Sequence, residues 1–157
     1  MLKLTESSIL VNLAAENCDT VIHHLADALH QQGFVTADYG KLTCLRETKH
    51  PTGLPTRPFC IAFPHADSDG VIHSALAVAI LEKPVYFKNM ADPTEDLSVE
   101  LVIMLANANP EEQIQTLRSL ATLFGEGEKL TALKSQPSPA EAANWLRQAL
   151  QLNEPAD

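Results

Sequence analysis

The chain is poor in aromatic residues, which make up 5% of its 157 positions, although its apolar share of 45% is ordinary. A chain of this length can bury a true core without cross-links. Leucine, isoleucine, valine and alanine must therefore supply most of the packing. No apolar run approaches the roughly 18 residues needed to cross a bilayer. The opening MLKLTESSIL holds too short an apolar stretch for a secretory signal. The chain reads as one soluble, intracellular domain over residues 1–157. Its three cysteines, Cys18, Cys44 and Cys60, are widely spaced and form no CxxC pair. They read as reduced, partly buried thiols rather than a metal or redox centre. Basic clusters are missing as well, and the formal charge of −9 is spread along the chain. That disfavours nucleic acid and anionic membrane as partners and would suit a positively charged protein. There is no internal repeat, no glycine-rich nucleotide loop and no cluster of metal ligands. His23 and His30 share a helix face, but about 10 Å of rise separates them, too far for one ion.

The periodicity of what remains is informative. ILVNL (9–13) has the look of a first strand. Asn17 or Asp19 can cap a helix whose apolar residues Val21, Ile22, Leu25 and Leu29 recur at helical spacing, with Gly33 to stop it. A second helix is expected from about Thr36 to Thr48, carrying Tyr39, Leu42 and Leu45. HPTGLPTRP (50–58), with three prolines and a glycine, reads as a loop. Strands are expected at 59–63, 75–81 and 84–87, the last beginning on a proline. LSVELVIMLA (97–106) is the longest apolar strand and takes the central place. Asn109, Pro110, Glu111 and Glu112 form a helix start, with Ile114, Leu117, Leu120, Ala121 and Phe124 as its inward stripe. A short helix follows at GEKL, and a last one over 138–150 has Ser138 as its cap and Pro139 in its first turn. Two helices, a block of strands and three more helices imply an α/β fold. The architecture expected is a three-layer α/β/α sandwich, with a mixed, mostly buried sheet flanked by helices.

The segment CIAFPHAD (60–67) ends an apolar strand on a Pro-His pair. Phe63 is held extended by the proline that follows it, and Pro64 fixes its own φ near −65°. His65 is thus delivered stiffly at a strand end, where α/β folds commonly carry their chemistry. A histidine with an ordinary pKa of about 6.5 is partly neutral near pH 7, so one ring nitrogen has a free lone pair. A fixed acceptor on the other nitrogen would set the tautomer and aim the nucleophile. Asp67, Asp69 or a backbone carbonyl can serve as that acceptor. The alternative is a turn histidine facing water.

IAFPHAD resembles the I-A-x-P-H signature of the enzyme IIA domains of the bacterial sugar phosphotransferase system, in the fructose/mannitol superfamily. RETKHPTGL (46–54) resembles the R-E and P-T-G-L segment that precedes that histidine, and PVYFKNM (84–90) is similar to the family's P-V-x-F stretch. LVIMLANANPEEQIQTLRSL (101–120) resembles the strand, turn and helix that follow. The long PTGLPTRPF loop between Arg46 and His65 looks most like galactitol-type members. Mannitol-type domains carry a second histidine at the position that Gln113 fills here. The resemblance implies a cytoplasmic phosphoryl carrier without metal or cofactor. His65 would accept a phosphoryl group at Nε2 from the phosphohistidine of the carrier protein HPr. It would then pass the group to a cysteine of a IIB protein, which serves a IIC membrane permease. Arg46 would stabilise the phosphoryl charge through its planar fork of donors. Gln113, Asp67 and His73 are candidate supporting residues. The same resemblance leaves open a regulatory IIA-like protein that signals to a partner, or a binding module that has lost the chemistry.

Overall fold

A computed structural model describes residues 2–152. The elements run β1 (Ile9–Leu13), α1 (Cys18–Gln31), α2 (Tyr39–Lys49), β2 (Gly53–Leu54), β3 (Cys60–Ala62), β4 (Ala75–Lys88), β5 (Asp96–Ala106), α3 (Ile114–Phe124), α4 (Gly127–Lys134) and α5 (Pro139–Ala149). The sheet order is β1-β4-β5-β3-β2. β1 lies parallel to β4 and β3 parallel to β5, whereas β4–β5 and β2–β3 are antiparallel. The sheet is mixed, and the longest apolar run sits in its middle.

Period-two alternation along β4 and β5 divides the core between the two faces. Ala75, Ala77 and Ala79 point toward Val21, Ile22, Leu25 and Leu29 of α1. Leu76, Val78 and Ile80 point the other way, toward Leu120, Leu123, Leu130, Leu133 and Leu146 of α3, α4 and α5. The row of alanines takes little room on the α1 side of the sheet. Both faces of the central strands are covered, so both sets of side chains leave water, and the few aromatic residues are not missed.

Helix ends follow their local chemistry. The Asn17 side chain accepts from the Thr20 N–H, and Gly33, at φ 82°, lets the chain leave α1. Ser138 accepts from the Glu141 N–H with Pro139 in the first turn of α5. Trp145 is half-buried against the α3–α5 core.

Four expectations need correcting. The strands expected at 75–81 and 84–87 are one strand, β4, interrupted by an irregularity between Ile80 and Val85 where Glu82, Lys83 and Pro84 are exposed. A bulge accommodates a proline that would break a regular ladder. The loop 50–58 contains β2, whose two residues pair with Ile61 and Ala62. α2 begins at Tyr39 rather than Thr36, because the Thr36 backbone is engaged by Gly70 and its hydroxyl by Asp38. Its buried residues are Tyr39, Gly40, Thr43 and Glu47, while Leu45 is 54% exposed. Finally, α3 is rotated from the expected stripe. Thr116, Leu120 and Leu123 are buried, whereas Ile114 and Leu117 are 49% and 37% exposed. α3 carries apolar residues on two faces, and helical spacing alone cannot choose between them.

Candidate functional site

β3 and β5 are parallel, so both leave the sheet at the same carboxyl edge, where open α/β sheets hold their sites. Phe63, Pro64 and His65 follow β3 directly, and Asn107 follows β5. The His65 Nδ1 lies 3.0 Å from the Phe63 carbonyl oxygen. A carbonyl oxygen only accepts, so Nδ1 carries the proton and the neutral ring keeps its lone pair on Nε2. Of the acceptors open in the sequence, the backbone carbonyl is the one used. The Phe63 ring stands 5.8 Å from the imidazole and meets the Phe124 ring edge-on at 5.4 Å. On the other side of His65, the Ala66 N–H donates to the Tyr39 hydroxyl at 3.3 Å. Burial pushes the Tyr39 hydroxyl above its ordinary pKa, which keeps its proton in place. The histidine is therefore held from both flanks.

Residues Arg46, Phe63, His65, Asp67, Asp69, Asn107 and Leu117 line one cavity of about 490 Å³, together with their immediate neighbours. Arg46 reaches it from the last turn of α2. Its Nη1 lies 3.4 Å from Asp67 Oδ1, a long contact to a carboxylate whose side chain is 84% exposed. Such a pair is weak, about 0–1 kcal/mol, and gives way easily. The Arg46 Nε is buried and has no hydrogen-bond partner among the described residues. A buried donor without a partner costs about 1–3 kcal/mol, which an oxyanion entering the cavity would recover. Arg46 is the only cation among the lining residues, against the two carboxylates Asp67 and Asp69.

Asn107 was not singled out from the sequence. Its Oδ1 is likewise buried without a partner among the described residues. The available signal was an amide directly after the longest apolar strand. Rotation of the amide by about 180° exchanges its acceptor for its donors, so Asn107 can also present N–H to an anion.

The other candidates lie elsewhere. Gln113 is buried and accepts from the Thr116 hydroxyl at 3.1 Å, and it is not among the cavity-lining residues. His73 is exposed, stands edge-on to Phe34 at 6.4 Å, and is also not among them. Asn109 caps a 3₁₀ turn, Pro110–Gln113, by accepting from the Glu111 N–H, and Glu111 and Glu112 are exposed. His23, His24 and His30 are exposed along α1. No helix is long and apolar enough to cross a membrane among the described residues.

The sequence and the fold have counterparts in known proteins. Over 103 residues the chain is 32% identical to the galactitol-specific EIIA component of the PTS system of Escherichia coli (strain K12), a match covering 64% of this chain and 66% of that one. The match thus spans just under two thirds of that relative's length. Over 130 residues it is 32% identical to the transcriptional regulator ManR of Bacillus subtilis (strain 168), covering 83% of this chain but 17% of the regulator. The fold superposes on enzyme IIAMtl of Escherichia coli, determined in complex with phosphorylated enzyme IIBMtl. That superposition has a TM-score of 0.73 at 22% identity and covers 96% of this chain and 99% of that one. Residues 3–149 match the family described as phosphoenolpyruvate-dependent sugar phosphotransferase system, EIIA 2, and the chain belongs to that family.

Proposed function

We propose that this protein is the phosphoryl carrier of a galactitol-type sugar or polyol uptake system, acting in the cytoplasm through His65. The observation that carries this reading is the hydrogen bond from His65 Nδ1 to the Phe63 carbonyl, which leaves Nε2 nucleophilic beside Arg46. In the first transfer, the Nε2 lone pair forms a nitrogen–phosphorus bond on a phosphohistidine of HPr. The donor's own nitrogen–phosphorus bond breaks, and the donor imidazole keeps that electron pair. The product ring has its phosphoryl group on Nε2 and its proton on Nδ1, so it is positively charged, and the Phe63 carbonyl dipole opposes that charge. In the second transfer, a thiolate of a IIB protein takes the phosphoryl group, and Nε2 recovers its lone pair.

The loose transition state of phosphoryl transfer needs positioning and positive charge on the equatorial oxygens. Arg46 supplies both when its contact with Asp67 yields to those oxygens. Asn107 can donate to another oxygen from the end of β5. A protein donor and acceptor are supported by the apolar rim, since the exposed Leu117 lines the cavity and the exposed Ile114 lies one turn away. Aromatic and aliphatic patches of this kind anchor protein partners.

The test is incubation with phosphorylated HPr, followed by intact mass measurement. One acid-labile, base-stable phosphoryl group is expected on the wild-type chain and none on His65→Ala. Labelling of His65→Ala at the wild-type level overturns the assignment. In a pull-down with the phosphorylated chain, recovery of a small IIB protein supports transport, and recovery of a transcription factor supports a regulatory role instead.

A further inference from the structure

Glu47 is the next residue after Arg46, yet it points away from the cavity into the protein, and only 7% of its surface remains exposed. A carboxylate in that position requires partners. Among the described residues it has two, both on Thr52: Oε2 accepts the Thr52 N–H at 2.8 Å and Oε1 accepts the Thr52 hydroxyl at 2.7 Å. Thr52 in turn accepts the Phe63 N–H on its carbonyl at 3.1 Å. The next group along is the Phe63 carbonyl, which receives His65 Nδ1–H at 3.0 Å. Four hydrogen bonds thus connect the end of α2 to the nucleophile.

The strand pairing makes this chain of contacts necessary. β2 has two residues, and its ladder with β3 is Gly53↔Ala62 and Leu54↔Ile61. The Thr52–Phe63 bond is the rung just beyond that ladder, on the side where the chain turns toward His65. Two residues of strand hold little by themselves. Glu47 clamps both polar groups of Thr52 that are free to bond sideways, and so holds the terminal rung closed. Pro64 narrows the Phe63 backbone to the extended region, and the Thr52 rung holds that residue against its neighbouring strand.

We infer that Glu47 is a positioning residue: acting through Thr52 and Phe63, it holds the carbonyl that keeps the proton of His65 on Nδ1 and the lone pair on Nε2. The inference rests on the carrier reading for its functional meaning, although the tautomer itself is measurable without any phosphoryl transfer. A glutamine at position 47 can accept from the Thr52 N–H through Oε1 and donate to the Thr52 hydroxyl through Nε2. It should therefore preserve the clamp.

The experiment is ¹⁵N NMR of the His65 ring in the unphosphorylated full chain, for the wild type, Glu47→Ala, Glu47→Gln and Thr52→Val. Wild type and Glu47→Gln should show one dominant tautomer, protonated at Nδ1. Glu47→Ala should show a mixture, with faster exchange of the Phe63 amide and phosphorylation by phospho-HPr slowed on the order of tenfold. Thr52→Val, which loses the hydroxyl arm alone, should fall between them, and it decides the matter should Glu47→Ala fail to fold. A wild-type tautomer ratio in either folded disrupting variant overturns the inference. A shift in Glu47→Gln as large as in Glu47→Ala also overturns it. Failure of the wild type to accept a phosphoryl group would instead remove the carrier reading, leaving the tautomer result to stand by itself.

Discussion

At the scale of single residues, Arg46 has charge and geometry to contribute, and these can be separated. Lysine at this position would keep the charge but lose the planar fork and the Nε donor, which is buried without a partner among the described residues. Arg46→Lys should slow phosphoryl transfer about 10-fold, and Arg46→Ala about 100- to 1,000-fold, as for removal of one oxyanion donor. Single-turnover kinetics with phospho-HPr reads both, and equal rates for Arg46→Ala and wild type would remove Arg46 from the chemistry. The cysteines provide a second case. Burial, followed by the nearby Asp19 carboxylate, pushes the Cys18 thiol up to about 11 and the Cys44 thiol up to about 12. At pH 8 the thiolate fraction of Cys18 falls on the order of 100-fold below that of an ordinary thiol. Greater nucleophilicity at higher pKa returns part of this, leaving alkylation about tenfold slow. Mass-resolved iodoacetamide labelling should find both thiols slower than free cysteine, and rapid labelling of either in the folded chain would contradict the burial.

At the scale of elements, the rotation of α3 has the largest consequence. Turning Thr116, Leu120 and Leu123 inward leaves Ile114 and Leu117 on the surface, and Leu117 lines the same cavity as His65. Leu117→Gln should leave the melting temperature nearly unchanged, because the residue is already 37% exposed. It should raise KM for the phosphorylated protein donor about tenfold, the effect of about 1.4 kcal/mol lost from an interface. Calorimetry together with steady-state transfer kinetics checks this. A large fall in melting temperature with KM intact would place Leu117 in the core and remove it from the partner surface.

At the scale of the whole molecule, two carboxyl groups shape the pH dependence of stability in opposite directions. The Thr94 side chain and backbone hold Asp92 below its ordinary 3.8. The stability it contributes is present above 3.8 and is lost as pH falls through its lower folded value. Glu47 is raised above its ordinary 4.5, chiefly by burial, with the Thr52 hydrogen bonds opposing that rise. The folded state then holds its proton more tightly than the unfolded chain does. The stability this brings is complete below 4.5 and is lost as pH rises through the folded value. Chemical denaturation across the acid range should show a limb that declines with rising pH above 4.5, and Glu47→Gln should flatten it. An unchanged limb in that variant would mean that Glu47 ionises as freely in the folded protein as in the unfolded chain.

Much of this molecule is legible in its sequence alone. β1, α1, α5 and the central place of β5 follow from local features: an Asn17 cap, a Gly33 exit, a Ser138 cap, and the length of the longest apolar run. The rigid corner at Phe63–Pro64 and its histidine are equally local, since a proline constrains its own backbone and its predecessor's. Long-range contacts settled the remainder. β2 exists because Thr52 is gripped by Glu47 and because the Gly53 carbonyl accepts the Met90 N–H, contacts with no periodic trace in two residues. The face that α3 presents, the placing of Arg46 and His65 on one cavity, and the Asn107 oxygen left without a partner among the described residues all depend on how distant segments pack. Local pattern specifies what each segment prefers to be. Which of its faces meets water is a property of the assembled core, where burial energy is shared among all the elements at once.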